Sequence, residues 1–213
     1  MIRRLIILLL IIASNACTTI ENPKVEIYGA LFEMMHQGNL STRIDLNSLK
    51  GKKHTYGLGA LTDLKGEILI MDSNVFISSE TNNGDINISN SYNHQAALFV
   101  QSQVSKWQSM ELPSFVHTVS QLEDYIESEA KRYGLDIEKP FPFIISGVIP
   151  DAKWHIINWP EGDTEHTHIK HINSGLSGYL KDTSMKILGF YSKHHKAIFT
   201  HHTTNVHMHF LTN

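Results

Sequence analysis

Two apolar runs joined by a short polar turn predict an antiparallel hairpin in the first third of the chain. Residues 56–61 and 67–71 have the composition of strands, and residues 62–66 between them have that of a turn. Gly57 and Gly59 stand two apart in the first strand, a spacing that lets a neighbouring backbone approach closely. They do not form a nucleotide-binding loop, because the required glycine spacing and a following helix are missing.

Apolar periodicity elsewhere predicts two main helices and further strands. Residues 25–38 carry apolar side chains at spacings of three and four, which is typical of a helix that Gly38 would end. A second helix is expected to open with a capping box at Ser120 and to stop at Gly134. Residues 78–93 have the composition of an exposed loop or hairpin tip. More strands are expected at residues 96–107, 141–148, 154–159, 187–191, 197–200 and 206–211. The sum is an α+β protein with much sheet.

Bulk composition narrows the class of protein. The chain has 213 residues, of which 41% are hydrophobic and 18% charged, as in folded globular proteins. This length allows one domain or two small ones. The net charge of -3 provides no basic surface for nucleic acid, so we expect no nucleic-acid partner.

The first residues have the features of an export signal. Arg3 and Arg4 precede an apolar run at residues 5–13, which is too short to span a bilayer but suits the core of a secretory signal. Small residues then lead to Cys17, as in bacterial lipoproteins, although Ser14 replaces the usual leucine.

We therefore expect residues 1–16 to be a signal peptide, residues 17–24 a tether and residues 25–213 the folded domain. Cys17 would carry the lipid and would anchor the protein to the bacterial envelope, at the periplasmic face or the cell surface. The alternative is an ordinary exported protein that is cleaved nearby.

Histidines crowd the C-terminal part, where ten of the fourteen lie between His155 and His209. Alternate residues of a strand point to the same side, so His207 and His209 would share one face. Neutral imidazole suits Zn, Cu, Fe or Ni, and a catalytic zinc takes three protein ligands. The pair therefore predicts two ligands of a metal site. The alternative is two unliganded histidines on an exposed strand.

The third ligand has several candidates. His201 and His202 lie just upstream of the pair, although a turn is expected to follow them. His166, His168 and His171 form a second group, in which the first two share a face if the segment is extended and the last two if it is helical. Without a metal, this group would be part of a polar loop.

Glu67 is the candidate for acid–base chemistry. It opens the strand that follows the turn at Gly66, opposite the strand with the paired glycines. A carboxylate beside a metal-held substrate can transfer a proton. The alternative for such a glutamate is a solvated residue at a strand edge.

Several blocks of the chain resemble the α-acetolactate decarboxylases, in the same order and at similar separations. The resemblance extends from about Val25 to Leu211. It is carried by Gly57-Leu58-Gly59-Ala60, Leu64, Gly66-Glu67-Ile68, Asp72, Ile187-Leu188-Gly189-Phe190 and His207-Met208-His209-Phe210.

This resemblance implies a fold and an activity. The family pairs a mixed-sheet N-terminal part with a C-terminal barrel-like part, usually as a dimer, and converts 2-acetolactate to acetoin. The resemblance makes His207 and His209 two of three zinc-binding histidines and Glu67 the catalytic glutamate. Zinc would act as a Lewis acid on the ketone of a 2-hydroxy-3-oxo acid.

Two departures from the family pattern are visible. The family has its third zinc histidine and a further glutamate beyond the His-X-His pair, whereas four residues follow His209 here. The family also places an arginine on the strand at residues 154–159, but this sequence has no arginine after Arg132.

His155 or Asn158 stands near the position of that arginine, and Lys153 or Lys170 is the alternative anchor for the substrate carboxylate. The rival hypothesis is a non-enzymatic, histidine-rich metal-binding lipoprotein on the same fold. A further alternative is a lyase for a different 2-hydroxy-3-oxo acid.

Overall fold

The computed structural model describes residues 21–212, apart from the side chain of His168. The predicted signal peptide (residues 1–16), Cys17 and the first part of the tether lie outside the described residues. The described end of the tether lies on the folded domain, since Asn22 exchanges two hydrogen bonds, of 2.8 and 2.9 Å, with the backbone of Asp136. Within residues 21–212, no helix combines the length and apolar character needed to cross a bilayer.

The larger sheet has seven strands, and all its pairings are antiparallel. Its order is β1-β7-β3-β4-β5-β6, and β2 also pairs with β7. The strands are β1 (Val25–Tyr28), β2 (Ile44–Asp45), β3 (Thr55–Leu61), β4 (Glu67–Met71), β5 (Asn74–Glu80), β6 (Ile86–Ser89) and β7 (Gln95–Gln103). The predicted hairpin is β3–β4, and its turn contains a short 3₁₀ helix at Thr62–Leu64.

The smaller sheet is C-terminal and has the order β10-β9-β8, again antiparallel. Its strands are β8 (Phe141–Ile156), β9 (Leu176–Tyr191) and β10 (Val206–Thr212). Among residues 21–212, three α-helices accompany the sheets: α1 (Leu31–Gln37), α2 (Val119–Arg132) and α3 (His168–Asn173). The α+β class with two main helices is therefore confirmed.

The main core lies between the two sheets. Leu58 and Val100 of the larger sheet pack in one cluster with Leu188 and Phe190 of β9. The other face of the larger sheet is covered by a second 3₁₀ helix, Leu46–Leu49, whose leucines are fully buried. Helix α2 covers the outer face of the smaller sheet, where Ala130, Phe141, Tyr191 and Val206 form a third cluster. Alternate residues of β10 therefore face either the main core between the sheets or the cluster beneath α2.

The first predicted helix is wrong over its first half. Val25–Tyr28 is strand β1, which pairs with β7. Of the predicted helix, only Leu31–Gln37 is helical. Gly29 separates them at φ 79°, and a side chain there would stand 2.1 Å from the carbonyl oxygen of Ala97. Pairing with β7 outweighs the helical spacing of the apolar residues, because local propensity is weak beside tertiary packing.

Further boundaries also differ from the sequence-based expectation. The capping box belongs to Thr118 and Gln121, two residues before the predicted start at Ser120. Residues 197–200 form a turn with a single isolated bridge, not a strand, and Ala197 has a φ of 60°. The strands predicted at 141–148 and 154–159 are one continuous strand that ends at Ile156, because β9 pairs with it on both sides of Pro150.

Candidate active site

The two histidines of β10 meet between the sheets. His207 pairs with Phe190 and His209 with Leu188 in the β9–β10 ladder, so both share the face of these two core residues. Their rings pack edge to face with centroids 4.9 Å apart, and the two Nε2 atoms are 3.2 Å apart. The His-X-His spacing therefore brings two imidazole nitrogens to one point.

A hydrogen bond across the sheets sets the tautomer of His209. Its Nδ1 lies 2.8 Å from the backbone carbonyl oxygen of Ile68 in β4. Because a carbonyl only accepts, Nδ1 carries the proton and donates it. In the neutral ring this leaves the lone pair of Nε2 free to accept a proton or bind a metal.

Glu67 enters the same space from the larger sheet. It opens β4 and shares its face with Leu69, which packs in the core between the sheets. Its Oε2 is 3.6 Å from Nε2 of His209, and its Oε1 accepts a 3.2 Å hydrogen bond from the backbone N–H of Ile157. Burial raises the pKa of Glu67 to about 7, and the hydrogen bond from Ile157 opposes this shift.

Burial keeps the two imidazoles neutral. It lowers the pKa of His209 to about 4 and that of His207 well below its ordinary value, and the neighbouring histidines lower the latter further. Neutral imidazole is the form that binds a metal. Nδ1 of His207 is buried, and the backbone of Phe199 opposes the lowering of the pKa of this ring.

The spacing of the two Nε2 atoms matches that of two zinc ligands. Zinc–nitrogen bonds of about 2.0–2.1 Å in a tetrahedral site place two ligand nitrogens roughly 3.3–3.4 Å apart. The two Nε2 atoms are 3.2 Å apart. Among residues 21–212, however, no group of three or more His, Cys, Asp and Glu side chains is arranged to hold a metal ion.

The candidates for a third ligand fall in different places. The ring centroid of the exposed His201 is 6.4 Å from that of His207, whose pKa it lowers. His202 follows it and is also exposed. His168 is the first residue of α3, and its side chain is outside the part of the chain that the structure describes.

His166 and His171 form a second pair of imidazoles. Nδ1 of His166 is 3.1 Å from Nε2 of His171, and both rings stack on the buried indole of Trp159. The predicted second group of histidines therefore includes two that are in contact with each other.

A polar network holds the chain segment that follows β8 against β4 and β5. Asn158 donates from Nδ2 to Glu80 at 2.9 Å, and Lys65 donates to the Asn158 side chain and to the Trp159 carbonyl at 3.3 and 2.6 Å. These bonds fix the backbone next to Ile157, whose N–H contacts Glu67. Sequence reasoning missed the roles of Lys65, Glu80 and Ile157, and a backbone N–H leaves no signal in a sequence.

The other candidates for a substrate anchor have partners of their own. Lys170 forms ion pairs with Asp163 and Glu165 at 3.1 and 2.7 Å. Lys153 is exposed, with its ammonium 6.0 Å from the ring centre of Tyr179. The ring of His155 lies 2.7 Å from the Ser174 carbonyl oxygen. Of the residues considered for this role, Asn158 is the one that is adjacent in sequence to Ile157, whose N–H donates to Glu67.

Comparison with known proteins gives matches at the level of structure. No family model matches the chain, and no curated protein sequence matches it. A Staphylococcus aureus protein of unknown function, described as similar to α-acetolactate decarboxylase, superimposes with a TM-score of 0.67 at 15% identity. The α-acetolactate decarboxylase of Bacillus subtilis strain 168 gives 0.62 at 13%, and that of B. subtilis subspecies spizizenii gives 0.69 at 12%.

Each match covers 89% of this chain, and 75%, 75% and 76% of the three solved chains in the same order. The resemblance predicted from the sequence blocks is thereby confirmed for the fold. At these identities the likeness concerns architecture alone, and fold does not by itself establish function. The chain has the fold of the α-acetolactate decarboxylases.

Proposed function

We propose that this chain is a zinc-dependent carboxy-lyase that converts 2-acetolactate to acetoin. The observation that carries the proposal is the meeting of Glu67, His207 and His209 between the sheets of an acetolactate decarboxylase fold. A carboxyl group whose pKa is near neutrality beside two neutral imidazoles suits proton transfer next to a metal.

In this proposal His207 and His209 hold the ion through their Nε2 atoms. His209 is already in the tautomer for this role, because Nδ1 donates to Ile68. His201 is the candidate for the third position, since it lies beside His207. When bound, zinc supplies Lewis acidity toward the ketone and hydroxyl oxygens of the substrate.

Glu67 supplies the proton. Loss of CO₂ breaks a carbon–carbon bond, and the electron pair left behind moves into the adjacent carbonyl group of the substrate. Acetoin forms when the carbon from which CO₂ has left takes up a proton, which Glu67 delivers from Oε2. The N–H of Ile157 holds Oε1 and so keeps Oε2 on the side of the histidines.

The direct test is to incubate the purified full chain with zinc and racemic 2-acetolactate and to measure acetoin. We expect zinc-dependent acetoin formation that a chelator abolishes. A protein that binds zinc but yields no acetoin would disprove this activity, and a panel of other 2-hydroxy-3-oxo acids would then test the wider lyase proposal.

A second candidate is a metal-binding protein without catalytic activity. The contact between His166 and His171 favours it, because their nitrogens are 3.1 Å apart and neither residue belongs to the proposed active site. Zinc titration separates the two functions. A binding protein would take up more than one ion per chain, and His171→Ala would lower that number. An enzyme with one site would be insensitive to this substitution.

We also propose that the chain is exported and carries a lipid on Cys17. The basic and apolar leader that ends in small residues before this single cysteine supports the proposal. Mass spectrometry of protein extracted from bacterial membranes tests it. The expected N-terminal residue is Cys17 with an acyl modification, and an unmodified cysteine would contradict the proposal.

A further inference from the structure

A row of exposed apolar side chains follows β7. The segment that leads from β7 to α2 runs over the surface, and we call residues 107–119, which end at the first residue of α2, the apolar segment. Five large apolar residues here have exposed fractions between 37% and 61%: Trp107, Met110, Leu112, Phe115 and Val119. Surface residues of this kind are common singly, but five within one surface segment of thirteen residues indicate an interaction site.

The apolar segment begins near β1, the first strand after the tether. Val25 of β1, Ser102 of β7 and Tyr56 of β3 are paired in one row across the sheet. Trp107 packs edge to face on Tyr56, with ring centroids 5.0 Å apart. Neighbouring strands are about 4.8 Å apart, so Tyr56 and Val25 are roughly 10 Å from each other. The start of the segment is therefore near the residues that follow the proposed lipid anchor.

The length of the tether limits how far this region can be from a membrane. Eight residues lead from Cys17 to Val25. Fully extended, they span at most about 28 Å at ~3.5 Å per residue. A lipid on Cys17 would therefore hold Val25 within that distance of the bilayer surface, and Tyr56, on which Trp107 packs, within roughly 40 Å.

The chemistry of the region suits an anionic lipid surface. The exposed Lys106 precedes Trp107, and the carbonyl of the exposed Lys53 accepts at 3.0 Å from the side chain of Gln103, the last residue of β7. Lys52 is the exposed neighbour of Lys53, and Glu111 is the one carboxylate within the segment. Tryptophan favours the membrane–water interface, phenylalanine and leucine enter the acyl region, and lysines attract anionic headgroups.

We propose that the apolar segment is a membrane-contact surface that inserts into the lipid leaflet to which Cys17 is anchored. The anchor limits the distance, and the segment fixes which side of the protein faces the bilayer. This inference rests on the proposed lipid attachment, and it is independent of the proposed decarboxylation.

A fluorescent label placed at two positions tests the contact. In the lipid-modified chain Cys17 has no free thiol, so Phe115→Cys carries the only reactive one. The matched control is Ile88→Cys, because Ile88 is 52% exposed on β6, at the opposite edge of the larger sheet from β1. Both proteins are labelled with an environment-sensitive dye and reconstituted into phosphatidylethanolamine–phosphatidylglycerol vesicles.

We expect the dye at position 115 to shift its emission to the blue and to be quenched by spin-labelled acyl chains. The dye at position 88 should show neither effect. A dye at position 115 that stays in water, in protein whose lipid is verified by mass spectrometry, would overturn the contact and leave the anchor intact. A dye that is already shielded without vesicles would also overturn it, because another part of the chain or a second copy would then cover the segment.

Failure of the anchor is measured separately. If mass spectrometry finds no lipid, full chains with Cys17→Ser and the same two labelled positions are added to the vesicles. Contact at position 115 alone, lost with Trp107→Ser, would support the surface without the anchor. Absence of contact would overturn the proposed surface.

Discussion

His209 donates a hydrogen bond from Nδ1 to the backbone carbonyl of Ile68, at 2.8 Å. This hydrogen bond joins β10 to β4, the strand that begins with Glu67. It also orients the ring so that Nε2 points at His207 and toward the Glu67 carboxyl group. Zinc binding and proton transfer both depend on this arrangement in the proposed function.

Removing either ring of the pair should release zinc. We expect His207→Ala and His209→Ala each to weaken zinc binding by more than the roughly 10–100-fold that the loss of an outer-shell partner costs. Metal content after dialysis and competition with a chromogenic chelator measure this. His36→Ala is the control, because His36 is exposed in the last turn of α1. Unchanged zinc affinity in both β10 variants would place the ion elsewhere.

Replacing the carboxyl group should separate binding from chemistry. Glu67→Gln keeps the shape of the side chain and the acceptor for Ile157 but cannot exchange a proton. We expect kcat for acetoin formation to fall by about 10²–10⁴-fold while zinc content is retained.

Glu33→Gln is the control for this experiment, since Glu33 pairs with Arg43 on the surface. Activity of Glu67→Gln within a few-fold of the parent would exclude Glu67 as the proton donor.

Stability in acid should depend on Glu127. The pKa of Glu127 is held at about 2 by hydrogen bonds from Lys131, Tyr191 and Lys193. A folded-state pKa below the ordinary 4.5 means that the unfolded chain binds more protons in this range. The stabilisation is therefore present above about pH 4.5 and is lost as the pH falls toward 2.

The variant Glu127→Gln should lower the free energy of unfolding by about 1–2 kcal/mol at pH 7, allowing for solvent screening of a side chain that is 24% exposed. Urea unfolding followed between pH 7 and pH 2.5 measures the difference, which should shrink toward acid. Glu129→Gln, on the same helix, breaks the surface pair with Arg132 and should cost less. A difference that does not change with pH would contradict this explanation.

The close approach of β3 and β7 should make Gly59 intolerant of a side chain. A Cβ on Gly59 would stand 2.0 Å from the carbonyl oxygen of Leu98, so the strand itself would have to move. We expect Gly59→Ala to destabilise the fold by roughly 3 kcal/mol or more, as overpacking does when backbone must shift.

Gly51→Ala is the comparison, because Gly51 has a φ of 84° but a methyl group added there would have nothing within 4 Å among the described residues. It should cost about 1 kcal/mol through backbone strain alone. Thermal unfolding of both variants checks the order, and equal losses would mean that β3 and β7 can separate at little cost.

The parts of the site that depend on neighbouring residues could be predicted from the sequence. Alternation along a strand has a period of two, so the common face of His207 and His209 followed from their spacing. The turn before Glu67 could also be predicted, because it depends on adjacent residues. The pair of glycines indicated the close strand contact that Gly59 makes with Leu98.

Errors arose where a distant strand outweighed a local pattern. The segment Val25–Tyr28 has apolar residues at helical spacing, yet it pairs with β7, some seventy-five residues later in the chain. The capping box moved from Ser120 to Thr118 because Gln121 can serve as the partner of the earlier residue and its side chain reaches back to that backbone.

Local patterns were sufficient to predict the fold class, the β3–β4 hairpin, and the two imidazoles on one face of β10. The groups that face these imidazoles depend on the packing of distant strands: the carbonyl of Ile68, the carboxyl group of Glu67, and the N–H of Ile157 that holds it. Backbone groups are the same at every residue, so their partners follow from the packing of the two sheets. The same packing removes water from the site and so moves the pKa of Glu67 to about 7, a shift that depends on burial and that residue identity alone does not specify.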